Sequence, residues 1–388
     1  MNILIITSKA TSANLRVAID FAQALNSHSK IFVICTGESS AHYSFNRVDY
    51  IQVVDPRQSL IKKFLNYKKK GTFWSKLPYR LYTYNYIPLI DAIKKSPIEK
   101  LFEKEAKNII QSHKIDFILS TNNPYFGHRT ALSLKKISNS PILEIWLDPF
   151  NLRKSFFAKC LEKRYIKKSD YIFSLPEVIL ADKLINKEKN KVILFELPYI
   201  VERIVKPSNF DIIFAGSFSS VRNPLPVLSF ILKCLPFINN KYHFYFYCNK
   251  RDSLLNFEQS SNGQIKICPY LSPERLNERL SNCYMLLNIG NNNNNLQLPS
   301  KVVDYISYRK PIISFQQSDH DPSNKYLYFY PDVLTININN TIKSNYSSFI
   351  NFINSHHYEI SFSKLMDIPL YKESTPSFLS NKLKSVIK

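Results

Sequence analysis

Residues 116–146 read DFILSTNNPYFGHRTALSLKKISNSPILEIW, and this stretch decides the fold. It opens on a short apolar run, Asp116 to Ser120, of the kind that fills a strand buried on both faces of a parallel sheet. A helical segment from His128 to Ile137 follows, and Ile142 to Trp146 is a second buried strand. Strands separated by a helical stretch argue for a βαβ crossover and a parallel sheet.

The alternation extends outward from there. Toward the amino end lie strands at Asn2 to Thr7, Lys30 to Cys35 and Tyr50 to Val54, with a helix from Ala13 to Leu25 whose apolar residues fall at 15, 18, 21, 22 and 25. Toward the carboxyl end come Tyr171 to Ser174 and Val192 to Phe195. The pattern lapses between Leu197 and Asn209, where Pro198 and Pro207 bracket a mixed segment that reads as a linker. It then restarts with strands at Asp211 to Ala215, Tyr242 to Cys248, Ile265 to Cys268, Met285 to Ile289 and Pro311 to Phe315. Helices are expected at Val227 to Leu235, Pro273 to Ser281 and Lys301 to Tyr308. The expected chain is therefore α/β, with two Rossmann-like parallel-sheet domains at 1–197 and 211–370 and a linker at 198–210. A basic helix within 371–388 is placed to pack back on the first domain. The ligand site is expected in a cleft facing the carboxyl ends of the strands.

With 388 residues, 45% of them apolar and 21% charged, the chain can fill two cores. The start lacks the basic region of a signal peptide, and no stretch approaches the ~18 to 20 apolar residues of a membrane span. A soluble or surface-bound protein is expected. Six scattered cysteines form no CxxC pair, which signals neither zinc nor a disulfide framework and suits a reducing cytoplasm. The net charge of +22 is unevenly spread. Between Pro56 and Ile90 lie Arg57, Lys62, Lys63, Lys68, Lys69, Lys70, Lys76 and Arg80, without an acid and interleaved with aromatics such as Tyr67, Trp74, Tyr79, Tyr84 and Tyr86. A second basic cluster runs from Arg153 to Lys168, with Glu162 its single acid. Such segments fit an anionic membrane surface better than nucleic acid, the plain alternative being a solvated lysine-rich surface.

Two stretches carry the chemistry. In Leu298-Pro299-Ser300-Lys301-Val302-Val303-Asp304-Tyr305-Ile306, continuing to Lys310-Pro311-Ile312-Ile313, a helix start and a lysine favour a diphosphate, and an acid one turn in can accept from ribose hydroxyls. A well-capped helix bearing a surface acid is the other reading. This segment resembles the nucleotide-sugar signature of family-4-like glycosyltransferases of the two-Rossmann-domain, or GT-B, kind, with Asp304 where that family carries Glu. Phe214-Ala215-Gly216-Ser217 with Arg222-Asn223-Pro224 is similar to the first strand and loop of the same domain. The resemblance implies that Gly216, Ser217, Arg222, Ser300 and Lys301 lie at the phosphates. It places Asp304 at the ribose and, through the Ile267-Cys268-Pro269-Tyr270-Leu271 loop, Tyr270 at the base, an ordinary core or rim tyrosine being the alternative for the latter.

In the first half, Ser120-Thr121-Asn122-Asn123-Pro124, His128 and Asp148-Pro149-Phe150 match the acceptor-side pattern, making His128 and Asp148 the candidates to touch acceptor or transferred sugar. For these two, a helix-start histidine and a turn-forming aspartate remain the alternative. The family's glycine-rich first loop is replaced by Thr7-Ser8-Lys9-Ala10-Thr11-Ser12-Ala13-Asn14.

The resemblance implies a transferase moving a sugar from a nucleotide-diphosphate sugar to a lipid-linked glycan acceptor in capsule or lipopolysaccharide synthesis. It further implies retention of configuration, no metal and no cofactor, and a place on the cytoplasmic face of the membrane. A sugar-nucleotide 2-epimerase of the same fold, or a silent scaffold, stands as the alternative.

Overall fold

A computed structural model describes residues 1–9, 13–68, 72–82, 95–121, 126–148, 156–206, 209–219, 221–249, 251–292, 298–319, 321–340, 343–355 and 357–387. Lys69, Lys70, Tyr84, Tyr86, the Ala10–Ser12 part of the first loop, Asn122 to Pro124, Pro149, Phe150, Arg153 and most of the asparagine run fall outside them. The chain forms two compact units, Met1–Pro198 with Ser377–Lys388, and Tyr199–Pro376.

The first unit holds eight strands: β1 (Asn2–Lys9), β2 (Lys30–Thr36), β3 (Ala41–Phe45), β4 (Val48–Val53), β5 (Phe117–Thr121), β6 (Ile142–Trp146), β7 (Tyr171–Ser174) and β8 (Val192–Leu194). Their order is β3-β4-β2-β1-β5-β6-β7-β8, parallel throughout except for the antiparallel β3–β4 edge pair. Order reverses between β1 and β5, the topological switch point where such sheets open a crevice at their carboxyl ends. Ile3 to Ile6 of β1 are fully buried, as an apolar run covered on both faces requires.

Helices α1 (Ala13–Leu25), α2 (Gln58–Lys68), α3 (Phe73–Arg80), α4 (Pro97–Ser112), α5 (Phe126–Leu134), α6 (Phe156–Lys168) and α7 (Lys183–Lys187) belong to the same unit. Ser96 caps α4 in a capping box with Glu99, and Pro97 opens its first turn, so the local sequence sets where this helix begins. Its Phe102 meets Phe126 edge to face at 5.2 Å in the core beneath β5. No residue of α2 is buried. Residues Ser377–Lys388 return to this unit: Leu379 and Leu383 are buried, and Ser380 Oγ donates to the Ala24 carbonyl at 2.7 Å.

The second unit is a six-stranded sheet of β9 (Asp211–Ala215), β10 (His243–Tyr247), β11 (Ile265–Cys268), β12 (Met285–Ile289), β13 (Ile312–Gln316) and β14 (Val333–Asn337). The order β11-β10-β9-β12-β13-β14, all parallel, is the dinucleotide-fold order 3-2-1-4-5-6. Its switch point lies between β9 and β12. Helices α8 (Leu225–Cys234), α9 (Pro273–Asn282), α10 (Ser300–Ile306) and α11 (Lys343–Asn354) are among its covering elements. Phe230 of α8 packs edge to face on Phe315 and Phe349 at 5.4 and 5.3 Å, which joins helix, sheet and α11 in one core.

Residues 199–206 of the expected linker are fastened to the second unit. Ser307 Oγ donates to the Tyr199 carbonyl and accepts from the Val201 amide, while Arg309 and Lys310 donate to the carbonyls of Arg203 and Lys206. Each bond satisfies a backbone group that an unstructured linker would leave to water.

Candidate functional site

In the second unit the switch-point strands end on glycines. Gly216 follows β9 and Gly290 follows β12. A Cβ on Gly216 would lie 2.9 Å from the ring of Phe214, so the glycine makes room for that ring where the chain leaves the sheet. A Cβ on Gly290 would fall 1.7 Å from Asp321 Oδ2. Asp321 is 3% exposed, and its Oδ1 accepts from the Ser323 amide and hydroxyl at 2.9 and 2.6 Å. Its Oδ2 is buried without a hydrogen-bond partner among the described residues.

Arg222 stands in the same group. Burial draws its guanidinium below the ordinary arginine value, and the nearby Asp321, Tyr305 and Tyr270 act in the opposite direction. Its Nε is buried and has no hydrogen-bond partner among the described residues. Ser217 Oγ and Tyr270 Oη lie 2.6 Å apart, and Tyr270 remains 53% exposed, with its ring open to a ligand. Gly216, Ser217, Arg222 and Tyr270 thus converge at the end of β9.

The α10 residues reach the same strand end through Tyr305. Its hydroxyl accepts from the Ala215 amide at 2.9 Å, tying α10 to the last residue of β9. Ser300 is the first residue of α10 and is half-buried. Asp304 is 2% exposed. Its Oδ1 accepts from Arg203 Nη2 at 3.0 Å and its Oδ2 from Lys301 Nζ at 3.2 Å. Arg203 is itself held against the Tyr308 ring at 4.6 Å. Sequence reasoning set Asp304 against a ribose. In the structure its two oxygens are engaged by two cations, so the acid fixes Lys301, whose side chain stays 35% exposed.

In the first unit His128 occupies the first turn of α5. It was expected to face an acceptor at the end of a strand, but it is fully buried. Gly127 before it explains how: a Cβ there would meet the carbonyls of Thr121 and Ile6 at 3.2 and 3.3 Å, so glycine lets α5 press onto β5 and β1. His128 Nδ1 lies 2.7 Å from Ser120 Oγ and 3.8 Å from Glu144 Oε2, and its ring stacks on Trp146 at 5.9 Å. Glu144 Oε2 also accepts from Trp146 Nε1 at 2.9 Å. Burial lowers the His128 imidazole to about 3 and raises the Glu144 carboxyl to about 7, because each loses its hydration when charged. Asp148, two residues past β6, is half-buried.

Sequence reasoning missed Arg203, Asp321, Gly290 and Glu144. An acid inside the apolar run ILEIW was a readable signal for Glu144. Arg203 sat in a segment read as linker and carried none. Among the described residues no three His, Cys, Asp or Glu side chains gather as metal ligands, and no helix is long and apolar enough to cross a membrane.

No family model matches this sequence, and no curated protein does. Solved structures do match in fold. The apo form of the lipopolysaccharide outer core galactosyltransferase WaaB is 10% identical, with a TM-score of 0.56 over 100% of this chain and 99% of that one. A UDP-N-acetylglucosamine 2-epimerase structure from Listeria monocytogenes is 9% identical, with a TM-score of 0.58 over 100% and 96%. Anabaena HepE in complex with UDP and glucose is 9% identical, with a TM-score of 0.55 over 98% and 95%. The fold is that of the GT-B glycosyltransferases, two largely parallel α/β sheets in one chain.

Proposed function

We propose that this chain transfers a hexosyl group from a nucleotide-diphosphate sugar to a glycan acceptor. The observation that carries the reading is Arg222, a half-buried arginine whose buried Nε has no partner among the described residues, at the switch point of a dinucleotide-type sheet. A buried donor left without an acceptor is costly until one meets it, and on a cation an anion meets it best. A diphosphate bound there would take the Arg222 fork and the Lys301 ammonium, while Tyr270 offers its exposed ring to the base. Ser217 and Ser300 offer hydroxyls to the same ligand, Gly216 gives it close approach to the backbone, and Asp304 holds Lys301 in place.

Glycosyl transfer from such a donor releases a nucleoside diphosphate, whose developing charge Arg222 and Lys301 neutralise without a metal or cofactor. Retention of configuration belongs to the same reading. In the first unit Asp148 is the residue assigned to acceptor or sugar, while His128 packs on Trp146 and beside Glu144 in the core. The neighbours' printed activities, a galactosyltransferase and a protein holding UDP and glucose, support a nucleotide-sugar substrate.

The acceptor we assign is lipid-linked, at the cytoplasmic face of the plasma membrane, in cell-surface polysaccharide synthesis. Support comes from α2 and α3, where Leu60, Leu65, Tyr67 and Trp74 are exposed beside Lys62, Lys63 and Lys76. Replacing Lys62, Lys63 and Lys68 by Gln should abolish co-sedimentation with anionic vesicles; unchanged binding would refute this part.

The donor is tested by thermal shift with UDP-, GDP-, dTDP- and CDP-sugars on the parent, Lys301→Ala and Arg222→Met. A ligand at about a hundred times its Kd adds about 2.7 kcal/mol. A shift with one nucleotide, lost in both variants, supports the reading. The absence of any shift would refute it in favour of a silent scaffold. The epimerase neighbour favours a second reading, which predicts turnover of the nucleotide sugar with no acceptor added.

A further inference from the structure

The basic cluster of α6 plays no part in the proposed transfer, yet it lines a concavity of about 750 Å³. One wall is Lys163, Arg164 and Lys167 of α6, and the other is Lys187 and Lys191 around the end of α7, with Glu188 the single acid. The floor is Ile166, 3% exposed. None of the five cations forms an ion pair among the described residues. A volume of this size suits a small-molecule ligand.

The groove's place in the fold separates it from the transfer site. α6 leads back from the carboxyl end of β6 to the start of β7, so Lys167 stands four residues before β7 and Lys191 adjoins the first residue of β8. The groove therefore lies toward the amino ends of β7 and β8, while sheets of this kind bind their main ligand at the carboxyl ends. Favourable placement at a helix carboxyl end would account for Lys167 and Lys187. It leaves Lys163 and Arg164, which lie earlier in α6, and Lys191 on the facing segment unexplained.

We infer that this groove is a second anion site, which takes a ligand carrying two or more phosphates. Like charges gathered in a concave wall focus a positive potential that neighbouring phosphates relieve together. Arg164 provides a planar fork for one phosphate, the lysines provide point charges for others, and their stems with Ile166 give an apolar lining. The phosphates can belong to a free polyphosphate or to lipid headgroups, and the test separates the two.

Binding of inorganic tripolyphosphate is measured by calorimetry at low salt. Co-sedimentation with phosphatidylcholine–phosphatidylglycerol vesicles is measured in the parent background. The two wall variants are Lys163→Gln/Lys167→Gln and Lys187→Gln/Lys191→Gln. Lys104→Gln/Lys107→Gln, on exposed positions of α4, removes the same charge elsewhere. Each wall variant should lose at least about tenfold in tripolyphosphate affinity while the control loses less than about twofold, which would assign a free polyphosphate. The same pattern with vesicles alone would assign headgroups. Equal losses in wall and control variants, or none in either probe, would overturn the site. Testing the walls separately keeps the result readable if one variant fails to fold.

Discussion

The buried pair His128 and Glu144 predicts an unusual dependence of stability on pH. Glu144 rises from 4.5 to about 7 on folding, so its contribution is complete below pH 4.5 and is lost as pH climbs through 7. His128 falls from 6.5 to about 3, so its contribution is complete above pH 6.5 and is lost as pH drops toward 3. Between pH 4.5 and 6.5 the unfolded chain carries one proton on the imidazole and the folded chain one on the carboxyl. The two slopes cancel there, and the pair leaves stability level.

Removing one partner exposes the other's slope, roughly 1.4 kcal/mol per pH unit for one proton. Relative to the parent, His128→Phe should lose about 3 kcal/mol between pH 4.5 and 6.5, and Glu144→Gln should gain about as much. Urea unfolding followed by tryptophan emission reads this directly. Of the two tryptophans, Trp146 is fully buried beside the pair and Trp74 is 75% exposed, so the emission change reports the first unit. Variants whose difference from the parent stays flat across that window would refute the reasoning.

Three further outcomes are expected. Tyr305→Phe leaves the Ala215 amide buried without its acceptor, which should cost about 1 to 3 kcal/mol. In a unit of this size that lowers its calorimetric Tm by roughly 2 to 4 °C per kcal/mol. Gly290→Ala drives a methyl into Asp321 Oδ2 and should lower the same Tm, and adding Asp321→Ala should recover most of the loss; additive losses would mean the clash is not the cause. Among the cysteines, exposed Cys160 should react first with maleimide at pH 7. Cys35, Cys234 and Cys283, whose thiols burial pushes up to about 12, should react only after unfolding; mass spectrometry of labelled peptides tells them apart.

Much of the fold is legible because its strands are short apolar runs buried on both faces. DIIFA, IKIC, MLLNI, ILEIW and YIFS each form the strand that their composition announces. The edges are not legible in that way. In β3 (AHYSF) all residues but the first are exposed, and the strand is held by the β4 ladder and by Tyr43 stacked on Tyr50 at 4.8 Å, so no apolar run marks it. The candidate site divides along similar lines. Ser217, Arg222 and Tyr270 sit in loops after strands, where the sequence points to ligand chemistry. Lys301 partners Asp304 within the motif, but Arg203 reaches it across roughly a hundred residues of sequence, and only tertiary packing joins them. His128 stands out in the sequence by its position at the start of a helix, and its burial depends on Gly127, a close approach that spacing does not reveal.

The return of Ser377–Lys388 to the first unit bears on how the chain is made. At about 5 to 20 residues per second, the intervening segment from Tyr199 to Pro376 occupies a ribosome for roughly 10 to 35 seconds. Throughout that interval the nascent first unit lacks the partners for which Leu379 and Leu383 are buried, and the surface around Ala24 stands uncovered. The second unit, encoded without a break, can close before its predecessor does. Synthesis order and completion order are therefore reversed, and the first unit is the one exposed to chaperones while translation proceeds.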